Sequence, residues 1–158
     1  MIDYIKNIRK KVGHDRIIIV GAGVLIYKDN MVLLQKRKDD LTWSTHGGSV
    51  DLGESVEEAA RRELKEETGL VAGKLDLLGV FSGKHLMHTY PNGDKVYIIE
   101  VNYACNDFSG DLLPDPDEVL ELKWFDLNDL PKVKHKAFND RMNALIEHIK
   151  RKHALSEG

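Results

Sequence analysis

Residues 47–70 read GGSVDLGESVEEAARRELKEETGL. Ser55 and Glu58 have the spacing of a capping box, in which each side chain caps the backbone of the other. Gly69 supplies the left-handed residue that commonly ends a helix. The pattern therefore predicts a helix over about residues 56–67, with a narrow apolar stripe formed by Val56, Ala59, Ala60 and Leu64.

Three glutamates lie in the last turn of this predicted helix. Glu63, Glu66 and Glu67 stand at i, i+3 and i+4, so their carboxylates share one patch. The C-terminus of a helix carries partial negative charge and like charges at this spacing repel, each effect costing about a few tenths of a kcal/mol. A hard divalent cation such as Mg²⁺ or Mn²⁺ would remove the repulsion. Helix physics alone leaves a metal site and a solvated acidic face both open.

The same segment resembles the signature of the Nudix hydrolases at every fixed position. That signature is a Gly, five residues, a Glu, seven residues and then Arg-Glu-apolar-any-Glu-Glu-any-Gly-apolar. This chain carries it at Gly48, Glu54, Arg62, Glu63, Leu64, Glu66, Glu67, Gly69 and Leu70. One departure lies just before it, where many members have Pro-Gly-Gly and this chain has His46 in place of the proline. The change touches no metal ligand, but it could alter the stiffness of the loop and bring an imidazole near the site.

The resemblance implies a metal-dependent hydrolase site on this helix. The expected ligands of Mg²⁺, or of Mn²⁺ in its place, are the carbonyl of Gly48 and the carboxylates of Glu63, Glu66 and Glu67. Arg62 is expected to orient the carboxylates by pairing with Glu54 or Glu66, because a planar guanidinium can hold two oxygens at once. A plain ion pair on the helix surface is the alternative for Arg62.

A general base or further metal ligand usually comes from a later loop in this family, and its identity varies between members. Glu118, at the end of an acidic stretch, is the first candidate, and Glu121 is the second. Residues 106–116 are rich in Gly, Pro and Asp, so we expect them to form a mobile flap that carries Glu118 to the site. A solvated surface acid is the alternative for both glutamates.

Four residues before the helix are candidates for binding substrate. Lys36 and Arg37 end a predicted strand that leads towards the site, where they could meet phosphates, and simple exposure to solvent is the alternative for both. Trp43 could stack on a nucleobase, although an isolated tryptophan near a strand is more often part of the core. His46 is the fourth candidate, because it stands in the loop beside the glycines.

The rest of the chain predicts an α+β fold. Strands and helices interleave without regular βα alternation, which favours a mixed sheet covered by helices, and the Nudix resemblance implies the same arrangement. With 158 residues, of which 42% are hydrophobic, we expect one domain over residues 1–158. The predicted elements are a helix within 1–13, a hairpin of 16–27 and 31–35, strands at 75–81, 95–105 and 120–125, and a helix over 136–153.

Composition excludes several classes of function. Lys and Arg number 23 against 26 Asp and Glu, and this net charge of -3 argues against bulk binding to nucleic acid or anionic lipid. The chain has no apolar run long enough to span a membrane and one cysteine, Cys105, which cannot form an internal disulfide. We therefore expect a cytoplasmic protein whose partner is a small nucleotide, with a homodimer left open.

The activity implied by the resemblance is Mg²⁺-dependent hydrolysis of a pyrophosphate bond in a nucleoside diphosphate linked to another group, such as a (d)NTP or ADP-ribose. Two alternatives are a prenyl-diphosphate isomerase on a related fold and a non-catalytic nucleotide-sensing module. The intact set of three glutamates speaks against both. The substrate markers of some subfamilies do not fall in place in residues 82–91, so the sequence leaves the substrate open.

Overall fold

A computed structural model describes residues 3–157 of the chain. The helices are α1 (Tyr4–Val12), α2 (Val56–Thr68) and α3 (Lys136–Glu157), and a single 3₁₀ turn spans Lys84–Leu86. The strands are β1 (Ile17–Lys28), β2 (Met31–Arg37), β3 (Trp43–Ser44), β4 (His46–Ser49), β5 (Val71–Ala72), β6 (Asp76–Phe81), β7 (Met87–Thr89), β8 (Lys95–Cys105), β9 (Phe108–Ser109) and β10 (Val119–Asp126).

The main sheet has the strand order β10-β2-β1-β8-β6, and β3, β4 and β7 pair with β2, β1 and β8. Strand β1 runs parallel to β8 and antiparallel to β2 and β4. The sheet is therefore mixed, which confirms the expected α+β class. A second, two-stranded sheet joins β5 to β9.

Strand β1 lies at the centre because its sequence is apolar on both faces. Residues 22–27 are all buried, as expected of a strand covered by helices on each side. Alternate side chains point to opposite faces of a strand. One face packs on α2 in a cluster that includes Ala22, Val24, Ile26, Leu33, Ala59, Ala60 and Leu64. The other face packs on α3 in a cluster that includes Leu25, Tyr27, Leu34, Phe138, Met142 and Leu145.

The predicted elements differ from the observed ones mainly at their ends. The hairpin is confirmed, with Tyr27 opposite Val32. Helix α3 runs to Glu157 instead of stopping at 153. Helix α1 begins after Asp3, whose side chain accepts from the backbone N–H of Lys6 and so caps it. The prediction that Met1 and Ile2 belong to this helix falls outside the described residues.

Helix α1 is anchored beside the loop that leads into α2. The backbone N–H of Tyr4 donates to the carboxylate of Asp51 over 3.1 Å. The guanidinium of Arg9 donates to the carbonyls of Gly13, Asp15 and Lys95. These contacts place α1 beside the starts of β1 and β8. Among the helices of residues 3–157, none is both long and apolar enough to cross a membrane.

Candidate functional site

Helix α2 has the predicted caps at both ends. The hydroxyl of Ser55 accepts from the backbone N–H of Glu58 over 3.0 Å, and the Glu58 side chain accepts from the N–H of Ser55. Gly69 has a φ of 81°, and its N–H donates to the carbonyl of Lys65. The apolar stripe of α2 packs against β1. The side of its last two turns that carries Glu63 and Glu67 therefore faces β4.

Glu67 is a buried carboxyl at the centre of this contact. Its side chain is only 4% exposed, and one oxygen accepts from the backbone N–H of Gly47 over 2.9 Å. The side chain of Gln35 donates a second hydrogen bond. Burial raises the pKa of Glu67 to about 8, and the charges of Glu63 and Glu118 act in the same direction. A buried negative group at this point needs a positive partner to stay ionised at neutral pH.

Glu63 lies directly over the backbone of Gly48. A Cβ on Gly48 would overlap the Glu63 carboxyl group, so any side chain at this position would displace that carboxylate. Burial raises the pKa of Glu63, and the charges of Glu66 and Glu118 raise it further. Glu66, by contrast, has a half-exposed side chain.

Arg62 forms ion pairs with three carboxylates, those of Glu54, Glu63 and Glu66. Its Nε and Nη2 donate to the two oxygens of Glu54 over 2.7 and 2.9 Å, a bidentate pair. Its Nη1 donates to Glu63 over 2.8 Å and lies 3.4 Å from Glu66. These hydrogen bonds lower the pKa of Glu54 and raise that of Arg62. Of the two expected partners, Glu54 is therefore the main one.

The chemistry of this donor set fits a hard divalent cation. Carboxylate oxygens are the ligands that Mg²⁺ and Mn²⁺ prefer, and a cation would relieve the repulsion that raises the pKa of Glu63 and Glu67. Across residues 3–157, no three acidic, His or Cys side chains already stand close enough to enclose an ion. Glu63 is held by a hydrogen bond from Arg62 and Glu67 by one from the N–H of Gly47.

Glu118 lies near the partly buried carboxyl of Glu63 and the buried carboxyl of Glu67, since its charge raises the pKa of both. It is exposed and immediately precedes β10. Its carbonyl accepts from the N–H of Lys38 and its N–H donates to Asp115. Glu121, the second candidate, is exposed on β10 opposite Lys36.

Residues 106–116, which we expected to form a mobile flap, are tied to the rest of the fold at two points, and their movement stays a prediction. Strand β9 lies within this segment and pairs with β5. The N–H of Leu113 donates to the carbonyl of Thr68 over 2.8 Å, which ties the segment to the end of α2. These backbone hydrogen bonds form although the segment is rich in residues that favour turns.

His46 is at the site but does not face substrate. Its ring is 1% exposed, with Nδ1 2.9 Å from the side-chain oxygen of Gln35 and Nε2 3.2 Å from the carbonyl of Leu33. Burial lowers the pKa of His46 to about 4, so the ring is neutral. The prediction that His46 binds substrate is therefore corrected: it supports Gln35, which in turn contacts Glu67.

The other three substrate-binding candidates are not brought together. The ring of Trp43 packs edge to face on Phe125, with centroids 4.8 Å apart, and belongs to the core beneath α3. Trp43 is only partly buried, so its stacking on a base stays a prediction. Arg37 is held by two hydrogen bonds to Asp39, although it also borders a cleft. Lys36 borders neither of the two clefts described next.

Two clefts adjoin the carboxylates. The first, of about 220 Å³, lies on the α3 face of the sheet, and Gly47 and Gly48 form part of its wall. The second, of about 650 Å³, lies between α1 and the loop before α2, and it is bordered by Arg62 and Glu63. Both open next to the backbone that the glutamates contact.

Sequence reasoning missed Gln35 and Asn102, which are buried in strands β2 and β8. The available signal was a polar side chain inside an otherwise apolar strand, because such a group is buried only when it has a partner or a ligand. It also missed that α1 borders the second cleft, for which an isolated helix pattern gives no signal.

Comparison with known proteins gives a consistent result. A family model described as NUDIX domain matches residues 18–147. A Methanocaldococcus jannaschii protein named ADP-ribose pyrophosphatase is 40% identical over 118 residues, covering 72% of this chain and 65% of that protein. A Danio rerio protein named oxidized purine nucleoside triphosphate hydrolase is 30% identical over 112 residues, covering 68% of this chain and 66% of that protein.

Solved structures agree in fold. A crystal structure of a MutT NUDIX hydrolase from Burkholderia pseudomallei superposes with a TM-score of 0.69 and 33% identity. The match covers 81% of this chain and 98% of that one. The aligned part of the chain thus spans about two thirds of the length of the two named relatives and nearly all of this solved structure.

Proposed function

The chain belongs to the Nudix family, and from this premise we propose that it hydrolyses a pyrophosphate bond in a nucleoside diphosphate linked to another group. The observation that carries the proposal is the meeting of two carboxyls, Glu63 and Glu67, over the Gly47-Gly48 backbone. These two carboxyls repel each other when ionised, yet Glu67 is buried and Glu63 is held by Arg62. A solvated acidic patch on the surface would need neither the burial nor the arginine.

The proposal assigns Mg²⁺ to this patch, with Mn²⁺ able to replace it. Glu63, Glu66, Glu67 and the carbonyl of Gly48 would hold it, with Glu118 as a further ligand. Bound metal neutralises charge on the phosphoryl oxygens and lowers the pKa of the attacking water.

The chain's own residues orient and complete the site. Arg62 fixes Glu54 and Glu63, so the carboxylate facing substrate starts from one defined position. Gln35 and the N–H of Gly47 hold Glu67 by hydrogen bonds that favour its ionised form. Glu118 would accept a proton from water, and its exposure and its influence on the pKa of both carboxyls support this role.

The substrate class includes (d)NTPs and ADP-ribose. One relative is named for ADP-ribose and another for oxidised purine triphosphates, and both chemistries break a phosphoanhydride bond.

The experiment is a panel of nucleoside triphosphates and nucleoside diphosphate sugars, assayed for release of phosphate, pyrophosphate or monophosphate with and without Mg²⁺. Turnover that requires the cation supports the proposal. Full turnover in excess EDTA contradicts the metal assignment. Binding without turnover would indicate a nucleotide-sensing module, and conversion of a prenyl diphosphate without phosphate release would indicate an isomerase.

The proposal includes a cytoplasmic location, which suits the buried free thiol of Cys105. A homodimer stays a prediction, tested by the sedimentation coefficient of the purified protein.

A further inference from the structure

The first cleft, of about 220 Å³, has a floor made of glycine. Gly21 and Gly23 lie on the β1 face that carries Leu25 and Tyr27 further along the strand. A Cβ on Gly21 would make only ordinary contacts, so the cleft is open there, whereas the space beside Gly23 is filled by the carbonyl of His46 and the side chain of Asn102. We call this first cleft the base cleft, defined by Gly21, Gly23, Tyr90, Glu100, Asn102 and Arg141.

Two buried donors that line the base cleft have no partner. Asn102 is 4% exposed and Arg141 is 9% exposed. Within residues 3–157, the Nδ2 of Asn102 and the Nε of Arg141 find no hydrogen-bond acceptor. Leaving a buried donor unsatisfied costs about 1–3 kcal/mol, so native proteins rarely keep one without a reason.

The surroundings fix both side chains. The Nη1 of Arg141 donates to Glu100, which holds the guanidinium across the cleft from β1. The side-chain oxygen of Asn102 lies 2.9 Å from where a Cβ on Gly23 would be, so its amide is packed against the strand. The unsatisfied groups therefore belong to ordered side chains, and a ligand that offers acceptors would satisfy them.

The base cleft shares a wall with the carboxylate patch. Gly47 and Gly48 line the cleft, and the same two residues contact Glu67 and Glu63. A ligand in the cleft thus lies one strand away from the proposed site of hydrolysis. Its volume suits one planar ring system better than a whole nucleotide.

We propose that the base cleft binds the nucleobase of the substrate and selects a 6-oxopurine, such as guanine, over a 6-aminopurine, such as adenine. The inference rests on the proposed hydrolysis of a nucleotide and specifies its base. Guanine offers two neighbouring acceptors, O6 and N7, whereas adenine offers N7 beside an amino donor. The two donors in the cleft match the O6 and N7 acceptors of guanine. With adenine, one of the two donors would face the amino group, which is also a donor.

Substrate analogues test the inference on the unaltered protein. We expect kcat/KM for GTP and ITP to exceed that for ATP by about tenfold or more, since both share the O6 and N7 acceptors. Replacing N7 of guanine by carbon, as in 7-deaza-GTP, should lower kcat/KM several-fold. Oxidation at C8 turns N7 into an N–H donor, so 8-oxo-GTP should also be a poorer substrate than GTP.

A matched pair of variants tests the residue. Asn102→Asp replaces the donor Nδ2 by an acceptor, and we expect the GTP to ATP ratio of kcat/KM to fall by about tenfold. Asn143→Asp makes the same change of charge on an exposed position of α3 and should leave the ratio unchanged. If Asn102 had only a structural role, Asn102→Asp would lower kcat/KM for GTP and for ATP by the same factor and leave their ratio unchanged.

A third variant fills the cleft without touching a polar group. A Cβ on Gly21 would make only ordinary contacts, the nearest at 3.4 Å to Ile98, so Gly21→Ala should fold with an unchanged melting temperature. It should raise KM for GTP several-fold and leave kcat nearly unchanged. An unchanged KM in this variant would show that the base binds elsewhere.

The outcomes separate the two proposals. If GTP, ITP and ATP are hydrolysed with ATP preferred, the base assignment is overturned and the proposed hydrolysis stands. If no nucleotide of the panel is hydrolysed or bound, both fail together.

Discussion

The carboxyl of Glu63 occupies the space that a side chain on Gly48 would need, with 2.4 Å between the carboxyl carbon and an ideal Cβ. Helix α2 and strand β4 therefore approach each other across a residue with no side chain. The hydrogen bond from the N–H of Gly47 to Glu67 depends on the same approach. The fixed glycine of the sequence signature is thus explained by contact with a carboxylate.

We predict that Gly48→Ala lowers kcat/KM by about 100-fold, because the added methyl displaces the Glu63 carboxylate by about 1 Å. Steady-state kinetics with saturating Mg²⁺ would measure it. Gly79→Ala is the matched control, since a Cβ there would make only ordinary contacts with Phe81. Wild-type kinetics in Gly48→Ala would contradict the requirement for this contact.

Glu67→Gln should reduce the rate by orders of magnitude while keeping the fold. The neutral side chain has nearly the same volume, its oxygen can still accept from Gly47, and it cannot take on the negative charge that burial makes unfavourable. We expect a melting temperature equal to or above that of the wild type. Glu57→Gln, on the exposed face of α2, is the control and should leave activity unchanged. Unchanged activity in Glu67→Gln would reduce this carboxyl to a structural role.

Local patterns in the sequence predicted what depends on neighbouring residues. The caps of α2, the spacing of its glutamates and the apolar strands all follow from periodicity and were found at nearly the predicted positions. The partner of Arg62 was narrowed only to Glu54 or Glu66, because the choice depends on how the preceding loop folds back.

Contacts between distant segments could not be read in the same way. The burial of His46 depends on its position between β2 and α2, and the pinning of residues 106–116 depends on the pairing of β9 with β5. Asn102 is one polar residue in an apolar strand, and the sequence does not tell whether such a residue meets a partner or an empty cleft.

Stability should fall at acid pH through His46. Burial holds its pKa at about 4 in the folded protein, below the usual 6.5, so the unfolded chain takes up a proton first as pH falls. The contribution of this group is complete above about pH 6.5 and is lost between there and pH 4, by up to about 3 kcal/mol.

Denaturant unfolding at several pH values between 7 and 4 would measure this loss. His46→Gln should show a shallower dependence on pH, because it has no titrating ring, whereas His153→Gln, at an exposed position of α3, should match the wild type. An equal slope in wild type and His46→Gln would contradict the prediction.

The last prediction concerns the removal of a proton from water, which the helix glutamates alone do not explain. Glu118 is exposed, is held in place by backbone contacts to Lys38 and Asp115, and adds negative charge to the environment of Glu63 and Glu67. Glu118→Gln should lower kcat by about 100-fold or more with little change in KM, since it removes an interaction made in the transition state. Glu121→Gln, on the neighbouring strand, is the matched control and should be mild. Near wild-type kcat in Glu118→Gln with saturating Mg²⁺ would rule out Glu118 as the proton acceptor. One of the helix glutamates that hold the metal would then be the remaining candidate.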